Sequence, residues 1–109
     1  VNPLLLIANL RAQLGGPRDG ALLRFSLGQA LLEVGERAEA LLQLQRAVSI
    51  DADYSAAWKL LGKAWLADDQ PEAAADAWQH GLEAAQRRGD KQAEKEMQVF
   101  LRRLQRPAP

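Results

Sequence analysis

Apolar residues recur along this chain every three to four positions, and short runs of glycine, proline and aspartate interrupt the pattern. Leu6, Ile7, Leu10 and Leu14 form one apolar face after Asn2-Pro3, a capping residue followed by a proline suited to the first helical position. Gly15-Gly16-Pro17 ends that helix, and Asp19 is placed to cap a second one running to about Val34. A third helix spans Glu36 to Ile50, with Ala40, Leu41, Leu44, Ala47 and Val48 on one side. Asp51-Ala52-Asp53 reads as a turn, with Asp53 as N-cap of a fourth helix. Asp68-Asp69-Gln70-Pro71 separates the fourth from the fifth, and Gly89-Asp90 opens a last helix carrying Ala93, Met97, Phe100 and Leu104. No stretch alternates with period two for long enough to make a convincing strand. The pattern predicts six helices in one domain.

The helices also repeat. Leu27-Gly28 returns as Leu61-Gly62, Leu31 as Trp65, Ala40 as Ala74, Leu44 as Trp78 and Ala47 as Gly81, always at an offset of 34. A helical hairpin repeated with this period resembles the tetratricopeptide-repeat (TPR) family. Trp58, Leu61-Gly62, Trp65, Ala74, Trp78 and Gly81 match the family's large and small positions well. The first repeat matches less closely, because Arg24 stands where the family prefers Trp, and Ala52 and Gln86 replace the usual prolines. The resemblance implies an all-α fold, a right-handed superhelical stack of antiparallel hairpins. Its parts would be a half-hairpin helix at 1–18, repeats at 21–54 and 55–88, and a capping helix at 89–106. Gly28, Gly62, Ala40 and Ala74 would let partner helices approach closely, and Trp and Leu would fill the space between hairpins. Moved forward by one repeat plus one residue, the frame sets Ala93, Met97 and Phe100 where Trp58, Gly62 and Trp65 lie. The last helix then reads as the polar-backed cap that solenoids need, its outer face solvated by Arg87, Arg88, Lys91, Lys95, Glu94 and Glu96.

Composition narrows the function. The chain has 109 residues, of which 48% are hydrophobic and roughly a third are Ala or Leu, so it can bury a modest helical core. Fourteen cations balance fourteen anions, and no global field draws it to nucleic acid or membrane. The absence of cysteine removes disulfides and thiolate chemistry and fits a cytoplasmic protein. Leu4 to Ala8 is too short for a membrane span, and no basic stretch precedes it as in a signal peptide. Val1 in place of an initiating Met fits a processed form, a fragment or an alternative start. A small bacterial protein of this family is expected on composition alone. His80 is the single histidine and reads as a surface or packing residue, since a metal site needs further ligands. Asp68, Asp69, Glu72 and Asp76 suit the start of a helix better than a cation site. No phosphate loop, nucleophile–base pair or acid/base pair appears, so neither an enzyme nor a cofactor is expected.

The resemblance implies a concave groove lined by the first helix of each hairpin. It maps onto Phe25, Gln29 and Leu32 in the first repeat, onto Lys59, Lys63 and Leu66 in the second, and onto Lys91, Lys95, Gln98 and Arg102 in the cap. Some relatives clamp a peptide's terminal carboxylate with lysines, asparagines and an arginine. Phe25, Gln29 and Leu60 depart from that set. A half-apolar, half-basic groove is left, suited to an acidic or carboxylate-bearing segment of a protein or peptide. The expected role is an adaptor or scaffold, acting as a monomer or weak homodimer. The alternatives are a self-associating structural protein, with the apolar groove or the incomplete terminal helix packing on another copy, and, much less favoured at zero net charge, RNA binding.

Overall fold

The computed structural model describes residues 2–105. These form six α-helices: α1 (Pro3–Ala12), α2 (Ala21–Glu33), α3 (Arg37–Ile50), α4 (Ser55–Ala67), α5 (Pro71–Arg88) and α6 (Lys91–Gln105). All six expected helices are present, with boundaries within a few residues of those read from the sequence. The described residues contain no strand.

Two of the expected caps do other work. Asn2 does cap α1, its side chain accepting the Leu4 N–H at 2.9 Å. Asp19, however, leaves the start of α2 to Gly20, which offers no side-chain cap. Its carboxylate instead takes two hydrogen bonds from the Arg24 guanidinium, at 2.9 and 2.8 Å, and one from the Gly15 N–H at 2.8 Å. Asp53 likewise pairs with Arg87 at 2.7 Å, and α4 begins after Tyr54 without a side-chain cap. A charge-assisted bond to an arginine outweighs one to a single neutral backbone N–H, which explains both departures. Asp90 accepts the Ala93 N–H at 3.1 Å at the start of α6. Gly89, in the left-handed region at φ 69°, closes α5 just before it.

The chain divides into two compact units, Val1–Asp51 with α1 to α3 and Ala52–Pro109 with α4 to α6. In the first unit Ile7, Leu27, Ala30, Leu31 and Ala40 form a core, with Leu10, Leu14, Leu32 and Val34 packed around it. A Cβ on Gly28 would lie 2.8 Å from the Leu44 side chain, so the bare backbone of α2 is what seats α3. Arg11 of α1 reaches Glu39 of α3 in an ion pair. Arg24 spends its third donor on Gln43 at 3.0 Å, so the charge at this family-Trp position ties α3 to the loop before α2.

The second unit is built around Trp78. Its indole lies across Gly62, where any Cβ would collide with the ring, and its Nε1–H donates to the Lys59 carbonyl at 3.0 Å. Trp78 is 3% exposed, whereas Trp58 and Trp65 are only half-buried. Trp58 stacks on His80 at 4.9 Å and donates to the Ala52 carbonyl, so His80 is an exposed residue that also packs. On the far side of α5, Gly81 gives room to Met97 of α6, which is fully buried. Ala74, Ala85 and Ala93 complete the core, with Phe100, Leu101 and Leu104 against it. Glu94 and Glu96 depart from the expected outer face: both are half-buried, Glu96 pairing with Lys59 and Glu94 accepting a bond from Gln86.

Bonding to Arg24, together with the Gly15 N–H, holds the Asp19 carboxyl down at about 2. Because the folded value lies below the unfolded one, this group stabilises the fold above about pH 4, and that stabilisation is lost as pH falls through about 2. Asp19→Asn should therefore lower the urea midpoint at neutral pH and flatten its fall between pH 4 and pH 2. Equal midpoint-versus-pH curves for the two chains would contradict the assignment.

Candidate functional site

Helices α4 and α6 of the second unit face each other along two rows of side chains, each stepping by about one turn. Lys59 stands opposite Glu96, with Nζ 3.3 Å from both carboxylate oxygens. Lys63 stands opposite Phe100, its ammonium 5.3 Å from the ring centroid. Farther along, Leu66 stands opposite Arg103 and Leu104, and between the rows opens a pocket of about 340 Å³. Trp78 and Phe100 supply aromatic walls to this pocket, their rings 5.0 Å apart, and Lys63 and Arg103 bring positive charge to it. Among the described residues neither of these two cations carries an ion pair.

The structure brings together three residues singled out in the sequence, Lys59, Lys63 and Leu66, on the side of α4 that meets α6. Lys59 has its charge matched by Glu96. Lys91 lies within 3.7 Å of Glu94 and is 80% exposed. Lys95, Gln98 and Arg102 are exposed on α6 but do not line the pocket. Phe25, Gln29 and Leu32 belong to α2 in the first unit, where Gln29 is exposed and Leu32 packs against the Ile7–Leu27–Leu31 core. Phe100, Arg103, Leu104 and Trp78 are the pocket residues that sequence reasoning did not assign to the site. The cause is helix phase. With Met97 buried against Gly81, α6 turns Glu96, Phe100 and Arg103 towards α4, and the row 91, 95, 98 and 102 lies on its exposed side. The apolar spacing Ala93, Met97, Phe100, Leu104 already held that phase.

No family model matches the chain. A TPR repeat-containing protein of Pseudomonas aeruginosa, however, is 50% identical over 102 residues, which is 94% of this chain and 97% of that protein. The chain belongs to the tetratricopeptide-repeat family. A Bordetella parapertussis protein solved in solution is 45% identical, with a TM-score of 0.76, covering 91% of this chain and 86% of that one. A tetratricopeptide repeat domain protein of Salinibacter ruber, also solved in solution, is 27% identical with a TM-score of 0.76, covering 82% and 89% respectively. TPR proteins generally mediate protein–protein interaction as non-enzymatic scaffolds. Among the described residues of this TPR chain, no helix is long and apolar enough to cross a membrane.

The Lys59–Glu96 pair makes a stability prediction. Lys59→Glu sets two carboxylates against each other and should cost about 1 kcal/mol or less, a lowering of a few degrees in Tm. Adding Glu96→Lys should restore the loss by reversing the pair. A double variant no more stable than Lys59→Glu alone would contradict the contact.

Proposed function

We propose that this TPR protein is a protein-binding adaptor that takes an acidic or carboxylate-bearing segment of its partner along the α4–α6 face of the second unit. The observation that carries the reading is the uneven use of charge on that face. Glu96 satisfies Lys59, but Lys63 and Arg103 stand beside an open apolar pocket with no acidic partner among the described residues. Two cations at the mouth of an apolar recess suit a ligand that is acidic outside and apolar inside. Exposed Lys95 and Arg102 on α6 would extend the attraction beyond the pocket and speed encounter at low salt.

Self-association is the second reading, and one observation favours it. Leu4, Leu5 and Leu6 of α1 are 65%, 58% and 40% exposed, apolar surface on the first unit that another copy could cover. Both readings are tested together. Lysate of the source organism is passed over the wild-type chain and over a Lys63→Glu, Arg103→Glu variant at the same salt concentration. A protein retained by the first and lost by the second is the expected result. Equal retention by both would remove the proposed face. Retention of further copies of the chain alone, with mass rising with concentration in sedimentation, would make self-association the account.

A further inference from the structure

We infer that the pocket between α4 and α6 is a side-chain socket, taking one large apolar residue from an internal peptide segment whose neighbouring residues are acidic. The inference rests on the adaptor reading above and sharpens it, because it says what the segment must contain.

The argument begins with volume and lining. The pocket's 340 Å³ is enclosed mainly by Leu66, Trp78, Phe100 and Leu104, so water inside it has few polar groups to bind. An apolar side chain that displaces such water gains transfer free energy without leaving a buried donor or acceptor unmet. The walls are also firm. Trp78 is fixed by its bond to the Lys59 carbonyl and by the absence of a side chain at Gly62, and Phe100 is fixed against Trp78. A socket already shaped before its ligand arrives spends little ordering entropy on binding.

Charge then selects the neighbours of the inserted residue. Lys63 comes from α4 and Arg103 from α6, so the two cations reach the pocket from opposite rows. A residue seated in the socket carries backbone on both sides, and an acidic side chain on either side stays within the screening distance of the nearer cation. Acidic residues immediately before and after the apolar one satisfy both, whereas a single terminal carboxylate satisfies one. The arrangement therefore favours an internal acidic–apolar–acidic triplet. Lys63 already lies over the Phe100 ring, so its charge is held at the rim while its stem lines the wall.

The test uses the capped peptide acetyl-Ser-Asp-Leu-Glu-Ser-amide, which has no terminal charge, titrated into the isotope-labelled full chain and followed by NMR at the Trp78 indole N–H. The socket predicts a saturable shift of that resonance. Replacing Leu of the peptide by Ala should weaken binding about tenfold. Replacing its Asp and Glu by Asn and Gln should weaken it and remove its salt dependence. Leu66→Trp, which fills the recess while leaving both cations in place, should abolish the shift. A separate far-ultraviolet spectrum checks that this variant folds, and Leu66→Phe serves if it does not. Unaltered binding after Leu→Ala, with loss after removal of the acids, would overturn the socket and leave the acidic-segment reading standing. No shift at Trp78 at peptide concentrations of about 10 mM would also overturn the socket. If lysate capture is lost with Lys63→Glu, Arg103→Glu, the broader adaptor reading survives that result.

Discussion

The arrangement of the second unit depends on one close approach, the Trp78 indole lying on the bare backbone of α4 at Gly62. The ring occupies the space any side chain at 62 would need, and its N–H meets the Lys59 carbonyl one turn earlier. A buried tryptophan contributes a large apolar area, and truncating one costs about 3–5 kcal/mol. The polar tip would offset that gain if unpaired, so the bond to Lys59 lets the ring be buried at all. Phe100 then packs against the same ring and carries α6 with it. One contact thus sets the spacing of α4 and α5 and gives α6 its seat.

The pocket follows from that seat. Met97, buried under Gly81, fixes the rotation of α6, and the rotation decides which of its charges face α4. Glu96 is turned inward and cancels Lys59, whereas Phe100 and Arg103 are turned towards Lys63 and Leu66. A chain with no net charge acquires in this way a local site of one sign, through geometry rather than composition. In the first unit the family-Trp position carries Arg24, and Asp19 absorbs its charge within the fold. That cation is used for structure. Lys63 and Arg103 are left for a ligand.

Much of this was legible in the residues. The 34-residue offset, the small residues at 28, 40, 62 and 74, and the prolines and glycines between runs gave the six helices and the family. Side chains that choose between two nearby partners were not legible in the same way. Asp19 and Asp53 have the composition of N-caps, and only the folded chain sets an arginine beside each. The pocket residues on α6 were not legible for a related reason: the seating of Met97 under Gly81 decides which side of that helix faces α4, and a rotation by one residue is about 100°. Trp58, Trp65 and Trp78 all hold repeat positions, yet the fold buries only Trp78, its indole lying on Gly62, and leaves Trp58 and Trp65 half-buried.

A double-mutant cycle at 62 and 78, read as urea midpoints, tests the central claim most directly. Alanine is favoured over glycine in a helix by about 1 kcal/mol, so Gly62→Ala should stabilise α4 if space allows. The account predicts the opposite in the wild-type chain, a loss of about 1–3 kcal/mol through overpacking against the indole. In a Trp78→Ala background, where the ring is gone, the same Gly62→Ala should become neutral or stabilising. A Gly62→Ala effect of the same sign and size in both backgrounds would contradict the interlock and, with it, the pocket built on it.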